Sequence, residues 1–309
     1  MPLASMKELL AEALRGGYAL SFCEAWNLES LQAVLEAATE LDSPVIAGFS
    51  GRFLNDSGRA RPEKLKWYAG MARAIEDVPV PAVLLLNESK SFSQMSEAID
   101  VGFNAVMVEN EGFALDEYRE LVSRVVNLAA PQKVAVEAHI GRLANAQEPG
   151  DAEITDPEVA RSFIEDTGID ALGVSVGNVH MLTSGTAQLD MRALESIHAA
   201  VPLPLVLHGG TGFPRELAQA AIQRGVAKFN FGTGLKQVFL AAMREKFDAY
   251  VEPTNPHPYL GMGGSQDIMV AGRQAMAAKV REILSDFGSA GMAHAKVLSK
   301  SSSDSLSER

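Results

Sequence analysis

Eight short runs rich in Val, Ile, Leu and Ala recur along this chain, and each is followed by a stretch with helical periodicity. The runs cover 18–22, 44–49, 80–86, 105–108, 133–137, 171–176, 203–207 and 227–231. Helical patterns lie between them at 28–41, 61–76, 91–101, 115–128, 157–167, 190–200 and 214–224, and a closing one covers 267–287. The runs are apolar almost without alternation, as parallel strands buried on both faces must be. Parallel neighbours need a crossover of helix size rather than a tight hairpin. Eight such units in roughly 270 residues predict a (β/α)8 barrel. The alternative, an open doubly wound sheet, would carry a Gly fingerprint after the first strand, and none is present there. No linker composition divides the chain. A single barrel domain over 1–290 is therefore expected, followed by a tail, 291–309, whose Ser-rich end reads as disordered.

The net charge of −12 argues against nucleic acid or an anionic membrane surface as a partner. No apolar run reaches membrane-spanning length, and the first residues lack the apolar core of a signal peptide. The single cysteine, Cys23, excludes an internal disulfide and reads as a small packed residue. These features together predict a cytoplasmic enzyme acting on a small molecule.

Barrel enzymes carry their chemistry on residues just beyond the C-terminal ends of the strands. The most informative of these stretches is LeuValLeuHisGlyGlyThrGlyPhePro, 205–214. It reads as a buried strand ending in His208, a Gly-rich turn and a helix start, a combination suited to holding an anion. A second histidine, His180, ends ValSerValGlyAsnValHis at 174–180. Two neutral imidazoles with a nearby carboxylate suit a divalent transition metal such as zinc. Glu88 and Glu137 are the candidate carboxylates, and His139 is a candidate third imidazole. Gly209, Gly210, Thr211 and Gly212 form one candidate phosphate turn, and Asn230, Gly232 and Thr233 form another. A metal gripping an oxygen beside a phosphate points to enolisation of a phosphorylated ketose. His198 is placed on a helix surface, and Gly261–Ser265 reads as a mobile turn.

The chain resembles the class II, metal-dependent ketose-bisphosphate aldolases. The resemblance runs from about Lys7 to Gly288 and rests on several blocks. These include SerProValIle at 43–46, GlyPheAsnAlaValMetVal at 102–108, ValGluAla at 136–138, GlyAsnValHis at 177–180, LeuHisGlyGlyThrGly at 207–212 and GlyValAlaLysPheAsn at 225–230. It implies a (β/α)8 barrel, a phosphorylated sugar substrate and assembly as a homo-oligomer. It also implies zinc held by three histidines, of which His180 and His208 match two. The family's strand-three motif reads His-Leu-Asp-His-Gly, with the Asp as acid/base and the second His as metal ligand. Here LeuLeuAsnGluSer stands at 85–89, so Asn87 falls on the acid/base and Glu88 on the ligand. An amide has no accessible proton-transfer pKa. Glu88 then either ligates metal or serves as base.

Other positions depart from the family pattern together. The first-strand Asn falls on Glu24, a second strand-five acid on His139, and an Asp two residues beyond Asn230 on Gly232. Met181 stands where the family has a phosphate-site Gly. The segment SerGlnAspIle at 265–268 lacks the arginine expected to hold a distal phosphate. A strand-five loop that carries an acidic proton donor in relatives offers Glu148. Glu24, Glu137 and His139 are expected around the ligand set. The resulting expectation is a metal-dependent lyase cleaving or forming a C–C bond in a phosphorylated ketose, with shifted specificity and slow fructose-bisphosphate cleavage. Isomerase or epimerase chemistry on a sugar phosphate, and a non-catalytic sugar-phosphate-binding paralogue, are the alternatives.

Overall fold

The computed structural model describes residues 3–146, 152–186, 188–252 and 254–294. Eight parallel strands close into a barrel. They are β1 (Leu20–Glu24), β2 (Val45–Ser50), β3 (Ala82–Ser89), β4 (Ala105–Val108), β5 (Ala135–Ile140), β6 (Ala171–Val174), β7 (Leu205–Leu207) and β8 (Val226–Phe231). Each strand pairs with its neighbours in sequence, and β8 closes onto β1 with Phe22 opposite Asn230. Around the barrel run α1 (Met6–Gly16), α2 (Leu28–Glu40), the single turn α3 (Gly51–Leu54), α4 (Leu65–Ala72), α5 (Phe92–Val101), α6 (Leu115–Ala129) and α7 (Pro157–Thr167). They are followed by α8 (Met191–Ala200), α9 (Arg215–Ile222), α10 (Thr233–Phe247) and α11 (Ile268–Asp286). The (β/α)8 expectation is met. No helix among the described residues is long and apolar enough to cross a membrane.

The core has two parts. One is the layer between helices and barrel, built from residues such as Val34, Phe49, Phe103, Tyr118 and Phe163. The other fills the barrel itself with Leu20, Phe22, Ile46, Val83, Leu85, Met107 and Val206, and continues into Met6, Leu9, Leu10 and Ala13 of α1. Helix α1 thus closes the N-terminal end of the barrel. Ser5 caps it, and Gly17, with φ at 66°, ends it in a left-handed turn.

Several sequence expectations need correction. The strands β1, β3 and β5 extend two to three residues further than their apolar runs, so Glu24, Asn87, Glu88 and His139 lie on strands rather than beyond them. Polar residues at the mouth conceal these strand ends from an apolar-run criterion. Helices α1 and α10 were not anticipated. The first four residues of the expected tail are anchored: the Gly291 amide donates to the Leu41 carbonyl, and the Ala293 amide to that of Asp42. Residues 295–309 lie outside the described residues. The turn Gly261–Ser265 is fastened to the buried Asp267, whose carboxylate accepts from the Gly261 and Gly263 amides. His198 is exposed on α8, as expected. Cys23 is fully buried, and burial pushes its thiol up to about 12.

Candidate active site

Alternation along β3 turns Val83 and Leu85 into the barrel, and Asn87 continues that inward row at the mouth. Glu88 would then face outward. Instead the register against β4 slips between Leu86 and Ser89, and Glu88 adopts the left-handed region with φ at 55°. This bulge aims both side chains at the mouth, a common use of bulges beside sites. Glu88 Oε1 lies 3.3 Å from His180 Nε2 and 3.4 Å from His208 Nδ1. Its other oxygen accepts a 3.4 Å hydrogen bond from Ser50 Oγ.

His208 leaves the end of β7, as the sequence suggested. His180 does not end a barrel strand. It lies beyond β6 on a two-residue ribbon, Val179–His180, paired with Ala144–Asn145. Asn178 fixes this departure: its Oδ1 accepts from the Val176 amide, and its Nδ2 donates to the His208 carbonyl. The segment then passes so close to β7 that a Cβ on Gly209 would lie 2.1 Å from the Val179 carbonyl oxygen.

Beneath this rim lies a fully buried charge cluster. Lys228 Nζ is 2.6 Å from Glu137 Oε2, and Glu137 Oε1 is 3.1 Å from His208 Nε2. Burial raises the Glu137 carboxyl, but the Lys228 ammonium and the His208 ring outweigh it and hold it down to about 2. Burial likewise lowers the His208 imidazole, yet Glu137 and Glu88 together hold it up to about 9. Glu137 therefore fixes one ring nitrogen of His208 and leaves the other facing Glu88, the arrangement by which a carboxylate orients a metal-binding imidazole. The partnership of Lys228 with Glu137 has no signature in sequence, because 91 positions separate them.

His139 is buried, and burial with the neighbouring His208 pushes its ring down to about 3. Its Nε2 has no partner, and its ring stands edge-on to His208 with centroids 5.7 Å apart. Asn230 Oδ1 is also buried without a partner, while its Nδ2 lies 3.4 Å from Asn87 Oδ1. Glu109, at the end of β4, was not singled out from sequence. Burial and the Glu88 charge raise its carboxyl. Its position one residue past a strand was the available signal.

The turn after β7 and the start of α10 form the second half of the mouth. Thr211 Oγ1 accepts from the Gly234 amide at 3.1 Å, tying the turn to the helix N-terminus and leaving the hydroxyl proton directed elsewhere. Thr211, Gly209, Gly232 and Thr233 line the same cavity as Glu88 and His180. The remaining first-turn amides of α10 lack intrahelical acceptors, as at any helix start. Gly210 is different from expectation: its amide donates to the Asn230 carbonyl at 2.8 Å, so it packs the strand tips rather than facing a ligand. Met181, in a left-handed conformation, lines the cavity. Glu24 enters from β1 and pairs with Lys236 of α10 at 2.7 Å. A Cβ on Gly232 would lie 2.3 Å from Glu24 Oε2. Lys90 is paired with Glu111. Glu148 lies outside the described residues.

His180, His208 and Glu88 suit a divalent transition metal by donor chemistry. Tetrahedral coordination at bond lengths near 2.0–2.1 Å separates its ligand atoms by roughly 3.3–3.4 Å, and Glu88 Oε1 stands at 3.3 and 3.4 Å from the two imidazole nitrogens. The two rings meet at 77°, with centroids 6.3 Å apart. Among the described residues, no group of three or more His, Cys, Asp or Glu side chains is placed to hold an ion as the side chains stand, so binding would require these three to shift. The three donors meet through Glu88.

The fold and site define a parallel-barrel protein with an imidazole–carboxylate mouth beside a Gly- and Thr-lined turn, and comparison with known proteins gives the family. The model of the class-II fructose-bisphosphate aldolases matches residues 4–292. A fructose-bisphosphate aldolase of Staphylococcus epidermidis is 34% identical over 301 residues, covering 95% of this chain and all of that protein. That of Geobacillus stearothermophilus is 36% identical over 300 residues, covering 95% and 99%. Among solved structures, the YdjI aldolase of Escherichia coli K12 superposes with a TM-score of 0.79 at 28% identity, covering 94% of this chain and all of that one. The chain belongs to the class II fructose-bisphosphate aldolase family. It is accordingly an aldolase-type lyase by descent.

Proposed function

We propose that this protein is a divalent-metal-dependent aldolase that cleaves or forms a C–C bond in a phosphorylated ketose, and that it turns over fructose bisphosphate slowly. The observation that carries this reading is Glu88 Oε1 standing at matched distances from His180 and His208. These three side chains would hold the metal, with zinc the best match to two imidazoles and a carboxylate. A bound metal supplies Lewis-acid polarisation of the ketose oxygens. Glu137 keeps His208 oriented. Thr211, Thr233 and the start of α10 hold the phosphate. Asn87 and the unpartnered Asn230 Oδ1 receive substrate hydroxyls. Asn87 cannot accept a proton, so the residue the family uses for that step is missing, and fructose-bisphosphate cleavage should fall by about 10²–10⁴-fold. The same substitution favours a second reading, enediolate chemistry without cleavage, which product analysis separates from the first.

Assembly as a homo-oligomer belongs to the same proposal. Leu240, which lines the site cavity, and Phe247 of α10, with Val251, Leu260 and Met262 after it, are large apolar side chains left exposed.

Elemental analysis of protein purified without chelator should show about one metal per chain. Glu88→Gln should lower metal content and turnover together. Full metal content with lost turnover would reassign Glu88 to proton transfer. Wild-type cleavage of fructose bisphosphate at ordinary aldolase rates, unaffected by Glu88→Gln, would refute the reading.

A further inference from the structure

The mouth of the barrel opens into two adjoining cavities, each of about 300 Å³. The first holds Glu88, His180, Thr211 and Thr233. The second lies towards β2 and the segment between α3 and α4, and its walls include Trp26, Phe49, Phe53, Arg59, Glu63 and Tyr68. Glu24, Phe53 and Lys236 border both, so the second cavity is the space next to a ligand seated in the first.

Both cations facing the second cavity are already neutralised. Lys236 Nζ lies 2.7 Å from Glu24 Oε1 and 4.2 Å above the Phe53 ring. Arg59 is paired with Glu63, donates to the Phe53 carbonyl at 3.2 Å and lies 3.2 Å from the Tyr68 hydroxyl. Tyr68 in turn donates to Glu63. Two positive and two negative groups therefore border the cavity, and each cation already has a carboxylate for partner. Glu24 is common to both cavities, but Glu63 belongs to the second alone. A dianion entering there would meet Glu63 beside Arg59 or have to displace it, and like charges brought together in a partly desolvated site are strongly unfavourable. The remaining wall is aromatic, the kind of lining that accepts the apolar faces of a neutral ligand while a few polar groups fix it.

We infer that the second cavity receives the end of the ketose remote from its phosphate, and that this end is uncharged. The substrate class is then a ketose monophosphate with a neutral hydroxylated tail, not a bisphosphate. This rests on the aldolase reading above. In cleavage the C3–C4 bond breaks and its electron pair stays with the phosphorylated fragment as the enediolate. The C4 hydroxyl loses its proton and becomes the carbonyl of a neutral aldehyde, and the enediolate carbon is then protonated.

Two measurements on the metal-replete enzyme separate this inference from its foundation. Deuterium exchange at the reacting carbon of dihydroxyacetone phosphate, followed by NMR in heavy water, reads enediolate formation without any distal group. Condensation of dihydroxyacetone phosphate with glyceraldehyde or with glyceraldehyde 3-phosphate then reads the distal preference. We expect exchange, and a kcat/KM for the neutral aldehyde at least about tenfold above that for the phosphorylated one. Glu63→Gln leaves Arg59 without its carboxylate and should move that ratio towards the phosphorylated aldehyde by several-fold. The wild-type ratio decides the matter even if that variant folds poorly. Exchange with preference for the phosphorylated aldehyde, or with neither aldehyde accepted, overturns the inference and leaves enediolate chemistry standing. Absence of exchange removes both.

Discussion

At its lower end the barrel is filled by Leu20, Val83, Ala105, Ala135 and Ala171 and closed by Met6, Leu9 and Leu10 of α1. At its upper end the barrel strands present Glu24, Asn87, Glu137, His139, Lys228 and Asn230, all of them also buried. The strands run on between the two ends, with register slips on β3 and between β7 and β8, so the contrast is chiefly one of side-chain chemistry. Each Leu, Val or Met side chain fully buried below contributes about 1.5–3 kcal/mol. Each charge buried above carries a desolvation penalty that its partner largely offsets and seldom exceeds. Stability is thus generated at one end and spent on preorganisation at the other. Function and folding should respond to different substitutions.

The largest effect should come from breaking the buried pair on one side only. Lys228→Met leaves the Glu137 carboxylate without its ammonium and should cost about 3–5 kcal/mol in urea unfolding. Adding Glu137→Met should restore much of that stability while leaving His208 unoriented and turnover low. If the double variant is as unstable as the single one, the pair contributes net stability and the division between the two ends is wrong.

Leu10→Ala empties part of the plug and should cost about 2–5 kcal/mol, with turnover at low temperature close to wild type. A selective loss of turnover in a folded Leu10→Ala protein would show that the plug tunes the mouth and is not merely a foundation.

The smallest effect belongs to Asp267, which caps α11 at the end away from the Phe287–Ala19 contact. Asp267→Ala should cost about 1 kcal/mol. Burial raises this carboxyl, but amides of Gly263, Met269, Gly261 and Val270 outweigh it and hold it below the usual carboxylate range. Its contribution is therefore present above the unfolded carboxylate pKa and lost as pH falls through the lower folded value. The Tm difference between wild type and Asp267→Ala should shrink in acid. A difference that stays constant from neutral to strongly acidic pH would show that the charge is not what fastens the Gly261–Ser265 turn.

Much of the barrel was legible because β-type runs and crossover helices recur eight times. The strand ends at Glu24, Asn87–Ser89 and His139 were not, because ionisable residues at a barrel mouth look like loop residues. Helix α1 had a readable pattern, Met6, Leu9, Leu10 and Ala13 behind a Ser5 cap. Helix α10 buries only Leu235 and Phe239 and begins inside a turn that reads as a ligand loop. His180 and His208 were visible as residue types at chain positions where chemistry collects. What no local pattern encodes is the left-handed twist of Glu88, the Glu137–Lys228 pair, and the use of the Gly210 amide in packing. All three are set by chain segments remote in sequence.

The closeness of Glu24 to Gly232 makes the two positions physically dependent on each other. In the family pattern β1 offers an amide and β8 a carboxylate; here β1 carries the carboxylate and β8 has no side chain. Restoring the β8 acid alone would force it against Glu24 and set two carboxylates side by side. Removing Glu24 alone would leave Lys236 without its carboxylate. Either single change leaves a less favourable mouth, so the two positions can be exchanged only together.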